Sequence, residues 1–463
     1  MVTPVWIMSI ARSLSRLTAI LLTLTLWCGA VVYADSGPPS AESSPGDPAN
    51  STPAGGAATG SAPSNMGGMP TNAPYSFSLF DPRTWPFSFI PVPEITTDPN
   101  SGATAGMLPI LLFTDDRHQI TDIFAPDINY NTVLGAGGNV RYMSYPSEDT
   151  QWYAQVGAAQ NIARVADLFY STGRTHSETF SFEGRFFFER DPTERFFGIG
   201  NQTEHGGQSN YTTEQAYGLA TMTWNISRRL QLSLVEKPRY VRILKGALEN
   251  LPQIQKLYPN IKGINGGSDV NNRLMLSYDT RDSQDIPRKG ELMRVFADIT
   301  DRSFMSSVSY GRFGGEAREY VPFGNRMTLA GHVFLQFTPA GGETPFWAMA
   351  RLGGESSLLT DQETLRGYGT GRFVDNNLSV ANLELRSRIY ELNVFGTHGV
   401  IEVAPFVEAG KVFHAMTDDP ADQLHPVGGV GFRGIAEPFV VGYVDVGIGG
   451  EGGTIFTGIN YPF

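Results

Sequence analysis

Asn382-Leu383-Glu384-Leu385-Arg386-Ser387-Arg388-Ile389 decides the fold. At a period of two, Asn382, Glu384, Arg386 and Arg388 share one face of a strand, and Leu383, Leu385 and Ile389 share the other. Phe182-Glu183-Gly184-Arg185-Phe186-Phe187-Phe188-Glu189 divides the same way, with Glu183, Arg185 and Glu189 together. A charge facing lipid near the bilayer midplane costs about 2–4 kcal/mol, so in a membrane barrel the charged faces must point to the lumen. Charged residues make up 17% of the chain, below the usual ~25%. Glycine (52) and aromatics (11%) are plentiful.

The same alternation runs outward from this stretch. From about residue 120, runs of roughly 10 to 14 residues are separated by turn residues, a length and period suited to tilted membrane strands. They fall near 122–131, 133–146, 149–161, 163–172, 177–190, 211–226, 229–244, 270–281, 290–301, 305–318, 325–338, 379–391, 400–413, 424–436, 439–448 and 453–463. The expectation is an all-β transmembrane antiparallel barrel of about sixteen strands, an even number as closed bacterial barrels require. If a candidate hairpin near residues 88–113 belongs to the wall, either two of these runs merge or the count becomes eighteen, although its prolines disfavour central strands. Loop length supports the same topology. Gaps 191–210, 245–269, 339–378 and 414–423 all follow odd-numbered runs, so the long connections gather at one end and short turns at the other. The last run places Ile455, Thr457, Ile459, Tyr461 and Phe463 on the lipid face.

The N-terminus reads as an export signal over residues 1–34. Arg12 and Arg16 precede an apolar core over 17–27, and Val32-Tyr33-Ala34 sets cleavage before Asp35. The alternatives are an uncleaved inner-membrane anchor and a lipoprotein through Cys28, the latter disfavoured by bulky Trp27 before it. Cleavage would remove the single cysteine, which fits an exported protein without a disulfide framework. Residues 35–85 are rich in Pro, Gly and Ser and read as a disordered periplasmic tether. The barrel takes residues 86–463. No later stretch has the ~18 uninterrupted apolar residues of a membrane helix, so membrane contact there requires strands.

A net charge of −12 disfavours nucleic-acid binding. No catalytic constellation stands out, and an enzyme is not expected. Gly429-Val430-Gly431-Phe432-Arg433-Gly434 matches a dinucleotide fingerprint by letters but lacks a βαβ context, so it reads as strand glycines. The seven histidines show no metal-binding spacing. Asp115-Asp116, Asp418-Asp419 and Asp422 read as solvated loop acids rather than a calcium site. Neither a metal nor a cofactor is expected. A rim hydrolase would need a serine near a histidine, and Ser309 and His332 lie on neighbouring runs. Residues 339–378 form the longest gap, and connections of this size are usually functional or disordered. Within it Leu365-Arg366-Gly367-Tyr368 sets an arginine between apolar and aromatic neighbours.

Four stretches together resemble the BamA/TamA-type outer-membrane assembly factors, the bacterial surface antigen family. Arg195-Phe196-Phe197-Gly198-Ile199-Gly200-Asn201 resembles the family's third outer loop. Tyr278-Asp279-Thr280-Arg281-Asp282, with Pro287 and Gly290, resembles its mid-barrel strand and turn. Leu365-Arg366-Gly367-Tyr368 resembles the signature of its sixth outer loop, and Phe406-Val407-Glu408-Ala409-Gly410 the partner strand. The resemblance covers about residues 90–463. It implies that the sixth outer loop folds into the lumen and that Arg366 pairs with an acid on that strand. Alternation puts Glu402, Phe406 and Glu408 on its inner face, which makes Glu408 the expected partner, where the family has Asp. The family's terminal strand is read by the barrel-assembly machinery as a signal, a role that falls here to Tyr461 and Phe463. The resemblance implies a protein of the bacterial outer membrane, in contact with its lipid, that helps insert or translocate unfolded outer-membrane proteins or lipid through a weak seam between first and last strands. Residues 35–85 are too short for the family's folded periplasmic domains, so client capture by that route is not expected. The alternative function is a passive pore or structural barrel.

Overall fold

A computed structural model describes residues 87–115, 120–339, 343–355, 362–394, 397–436 and 440–463. The expected signal sequence with Cys28, the expected tether, Asp116, His118 and the expected turn at Glu437-Pro438 lie outside these residues. No described helix is long and apolar enough to cross a membrane.

Eighteen strands form one closed antiparallel wall, each paired with the next in sequence. They begin with β1 (Ser88–Asp98), β2 (Gly102–Thr114), β3 (Ile120–Asn131), β4 (Gly135–Ser147), β5 (Thr150–Ala159) and β6 (Arg164–Thr172). The middle of the wall is β7 (Phe180–Phe196), β8 (Ser209–Asn225), β9 (Leu230–Lys245), β10 (Gly267–Asp279), β11 (Gly290–Thr300), β12 (Tyr310–Phe323) and β13 (Met327–Phe337). The connection after β13 holds a small separate sheet of β14 (Ala350–Leu352), β15 (Gln362–Glu363) and β16 (Phe373–Asp375). The wall then resumes with β17 (Asn377–Val394), β18 (Thr397–Phe413), β19 (His425–Ala436), β20 (Val440–Gly449) and β21 (Gly452–Ile459).

The count of about sixteen is therefore corrected to eighteen, because the 88–113 hairpin belongs to the wall. β1 and β2 pair along their whole length, from Ser88↔Leu112 to Asp98↔Gly102. Pro91 and Pro93 are tolerated because β1 is close to an edge: its other side meets β21 at one paired position, Thr97↔Ile455, and a missing N–H costs little where no partner accepts it. Two strands added at the front also move the long connection to the seventh gap at its end of the barrel, not the sixth. The Arg195–Asn201 stretch likewise falls in the fourth gap, not the third.

Burial follows alternation. On β11, Met293, Val295 and Ile299 are exposed while Leu292, Phe296 and Asp298 are buried. On β17, Leu385 and Ile389 are exposed while Asn382, Glu384 and Arg386 are buried. An exposed apolar belt around buried charges is the inverse of a water-soluble fold and suits a hydrocarbon surround. The buried charges are paired, as an uncompensated one would be costly. Arg185 reaches Asp167 (Nε–Oδ1 2.8 Å), Arg239 reaches Asp269 (2.8 Å), and Arg312 reaches Asp298 (2.9 Å).

Both ends carry packed side chains. At the long-loop end, Phe196, Tyr211, Val241, Ile243, Ile254, Phe346 and Trp347 form one apolar cluster. At the other end, Ile286 of the β10–β11 turn packs with Val400, Ile435 and Val441, and Asp285 of that turn holds Arg174 of the β6–β7 turn at 2.9 Å.

The C-terminus departs from expectation. β21 ends at Ile459, and Asn460 adopts φ +83°. That left-handed residue breaks the alternation. Tyr461 and Phe463 consequently leave the lipid face. The Tyr461 hydroxyl donates to Glu402 at 3.2 Å, and buried Phe463 clusters with Tyr320 and Ala330.

Candidate functional site

The connection between β13 and β17 is organised by its small sheet. β14 pairs parallel with β15 and antiparallel with β16. Gly353 and Gly354 reverse the chain at φ +125° and +71°, values that side chains resist. The Leu365 N–H then donates to the Gly354 carbonyl at 2.9 Å, and the Tyr368 N–H donates to the Leu365 carbonyl at 3.1 Å. This tight turn presents Arg366. Leu365 and Tyr368 are buried with Leu352, Phe373, Leu378, Val380, Phe406, Val412 and Val427, so the apolar flanks carry the arginine down with them.

Arg366 is fully buried. Its Nε donates to Glu408 Oε1 at 2.8 Å and its backbone N–H to Glu408 Oε2 at 2.6 Å. Nη2 lies 2.9 Å from Glu384 Oε1, and Nη1 pairs with Asp445. The guanidinium stacks on Phe406, 3.7 Å from the ring centroid. Arginine suits this position because its planar fork meets several carboxylates and an aromatic face at once.

The pair is part of a larger network. Arg433 Nη2 donates to Glu384 Oε1 at 2.8 Å, and Arg386 Nε donates to Glu384 Oε2 at 3.0 Å. Arg433 also lies 3.4 Å from Glu402 and 3.7 Å from Asp445. Asn382 Nδ2 donates to Glu408 at 3.1 Å, and Asn382 in turn contacts His332 Nδ1 at 2.8 Å. The tail closes the far side. The Arg386 guanidinium lies 3.8 Å from the Tyr461 ring centroid, and the His332 ring stacks on Phe463 at 5.3 Å. Three guanidiniums thus meet four carboxylates, which spreads the desolvation of each charge over several partners.

Close backbone approach makes the seat possible. A Cβ at Gly447 would fall 1.9 Å from the Arg366 carbonyl oxygen, and one at Gly449 would fall 2.5 Å from that of Gly367. These β20 glycines admit the turn. A further acid, Glu355, lies in the connection and accepts from the Tyr443 hydroxyl. Burial, reinforced by Asp445 nearby, pushes its carboxyl up to about 7 against the effect of the Tyr443 bond.

Three of the four family-like stretches meet here. Gly200 donates its N–H to Val374 at 2.9 Å, and Asn201 Oδ1 accepts from the Val412 N–H at 3.2 Å. The Tyr278–Asp282 stretch is at the opposite end, where Arg281 Nη2 pairs with Asp279 at 2.7 Å. Glu384 and Asp445 were not anticipated as partners of Arg366, nor Arg433 as a second cation on the same carboxylates. Asp445, a lone acid between Val444 and Val446 in a strand otherwise apolar or glycine, was the available signal.

The other candidates are accounted for separately. Gly429–Gly434 lies within β19, and a Cβ at Gly429 would strike Phe406 at 2.2 Å. Ser309 sits in the β11–β12 loop with Asp301 (3.3 Å). His332 is buried on β13 beside Glu316 (3.2 Å), so the two are not brought together. Asp422 pairs with Lys411, and Asp418 accepts from the Ala415 N–H at 2.9 Å. Among the described residues no group of three or more His, Cys, Asp or Glu could hold a metal ion.

A family model described as the Omp85 superfamily domain matches residues 148–431. Among solved structures, BamA from Haemophilus ducreyi lacking POTRA domains 1–3 is similar at 13% identity and a TM-score of 0.47, over 81% of this chain and 75% of that one. CdiB from Escherichia coli matches at 12% identity and a TM-score of 0.42, over 81% and 62%. CdiB from Acinetobacter baumannii matches at 11% identity and 0.40, over 81% and 59%. This chain therefore spans less than two thirds of either CdiB. No curated protein matches the sequence. The family match takes in β7, β8 and the whole connection that carries Arg366, and the chain belongs to the Omp85 superfamily.

Proposed function

We propose that this chain is a barrel of the bacterial outer membrane that helps insert or translocate polypeptide there, by opening its wall between β1 and β21. The observation that carries this reading is the contrast in pairing. β1 and β21 share one paired position, whereas β7 and β8 pair from Phe180↔Trp224 to Phe196↔Ser209. A nearly unpaired edge is a template for an incoming strand. In this reading the connection after β13 lies in the lumen, latched there by Arg366 to Glu408. Its clients are unfolded outer-membrane proteins, and membrane lipid next to the seam is disturbed when the wall parts. Tyr461 and Phe463 can serve the barrel-assembly machinery as a signal only before they turn inward.

The passive-pore alternative fits less well. With the connection in the lumen, as the proposed reading has it, the buried side chains of the Arg366 network would stand where a conducting pore needs water.

The test is the folding rate of a denatured outer-membrane protein added to liposomes that hold the barrel. Acceleration supports the assembly reading. No acceleration, together with steady ion conductance, favours the pore.

A further inference from the structure

The weak seam raises the question of what keeps it shut. Between β1 and β21 themselves there is one backbone pairing, Thr97↔Ile455, and one bond from the Ile455 N–H to the side-chain Oγ1 of Thr97 at 3.2 Å. The turn that carries Arg366 supplies more, and it touches both sides. Toward β1, Thr370 Oγ1 donates to Asp98 Oδ2 at 3.0 Å, and Asn100 Nδ2 donates to the Thr370 carbonyl at 2.6 Å. Toward β21, Arg372 Nε donates to Glu451 at 2.8 Å, in the β20–β21 turn. The Gly450 N–H donates to the Tyr368 hydroxyl at 3.0 Å, and Thr454 Oγ1 donates to the Arg366 carbonyl. Arg372 is itself fixed from behind: Nη1 donates to Thr203 Oγ1 at 2.8 Å, and its guanidinium lies 4.2 Å from the Phe197 ring centroid.

We propose that residues 366–372 are a staple across the seam, so that release of this turn, rather than strand unzipping, is the step that opens the wall. Residues two positions apart in one turn hold the two sides of the gap: Thr370 holds Asp98 at the end of β1, and Arg372 holds Glu451 in the turn that leads into β21. Side-chain bonds of this kind, one of them between charged groups, outweigh a single backbone bridge. The staple also couples the Arg366 network to the seam, because the arginine that anchors the turn fixes the residues that span the gap. The inference deepens the proposed function and rests on it for its purpose, but not for its test.

The test measures the seam directly. Nitroxide labels at Ile95→Cys on β1 and Ile448→Cys on β20, the strand paired with β21, both exposed positions, report its width in the full-length barrel, with Cys28→Ser. Thr370→Val with Arg372→Gln should add a longer-distance population, raising the open-to-closed ratio about tenfold or more. Arg372→Lys in place of the glutamine should recover much of the closed population, since it can still pair with Glu451. An unchanged distance in the folded double variant overturns the staple. Should that variant not fold, a covalent link across the same contact answers instead: Asp98→Cys and Thr370→Cys joined by a short bis-maleimide, compared with the same variant left unlinked. In a thin bilayer the unlinked barrel should show the longer population and the linked barrel should not; equal populations overturn the proposal. Client folding is read in parallel. A barrel that opens on release yet speeds no client upholds the staple and overturns the assembly reading.

Discussion

Glu408 holds Arg366 by both its side chain and its backbone: Nε donates to Oε1 at 2.8 Å and the backbone N–H donates to Oε2 at 2.6 Å. One carboxylate therefore sets both the position of the turn and the orientation of its guanidinium. Replacing Arg366 with Ala leaves Glu408, Glu384 and Asp445 without a shared cation. The expected loss is about 3–5 kcal/mol, the cost of breaking a buried pair from one side. Thermal unfolding of the purified barrel in detergent measures it. A variant that melts like wild type would mean that the turn is not latched.

Glu408→Asp keeps the charge but withdraws the carboxylate by one methylene. It should lose one of the two bonds to Arg366, costing about 1–3 kcal/mol, and less than Arg366→Ala. Chemical denaturation of the two variants side by side gives the order.

Gly447→Val should act like removal of the latch without touching a charge. The added Cβ would stand 1.9 Å from the Arg366 carbonyl oxygen, and that oxygen belongs to backbone that cannot swing aside. Protease cleavage within the connection should rise while the wall strands stay protected. Protection equal to wild type would show that the turn seats elsewhere.

Phe463→Ala should cost about 3 kcal/mol, as expected for a buried aromatic, because Phe463 packs with Tyr320 and Ala330 and stacks on His332. A lipid-facing terminal Phe would lose much less once the barrel has folded. Unfolding of already folded barrel, compared between the two proteins, separates the cases from any effect on assembly.

Stability should also depend on Glu355. Its carboxyl is raised to about 7 by burial, ahead of Asp445, above its ordinary value, so folding favours the protonated form. The contribution of Glu355 is then fully present below the ordinary carboxylate range and is lost as pH rises from there through about 7. Melting temperature measured across that window should decline, and Glu355→Gln should flatten this part of the profile.

The faces of the wall strands were legible because lipid penalises charge strongly: the split of Asn382–Ile389 needs no tertiary knowledge. The β1–β2 hairpin was legible as a candidate hairpin but not as part of the wall, since its prolines disfavour central strands; the sparsely paired seam explains why β1 tolerates Pro91 and Pro93. The tail misled because Ile455, Thr457, Ile459, Tyr461 and Phe463 continue the alternation without interruption, and the break comes from the backbone of Asn460. Alternation on β18 turns Glu402 and Glu408 to one face, and the choice of Glu408 for Arg366 comes from the resemblance of Phe406–Gly410 to the family's partner strand. That Glu384 and Asp445 join it follows from neither, because strands on either side of β18 and β19 meet only through barrel curvature. The staple was invisible for the same reason: Asp98 and Thr370 are 272 residues apart.

The most direct measurement of the central claim uses Thr97→Cys with Ile455→Cys, the one position where β1 and β21 pair. The barrel is reconstituted in liposomes, and the folding rate of an added denatured outer-membrane protein is recorded with the disulfide formed and then reduced. The account predicts acceleration by the reduced barrel and loss of that acceleration by the locked one. Equal acceleration by both would contradict it, because insertion would then proceed without opening the wall between β1 and β21.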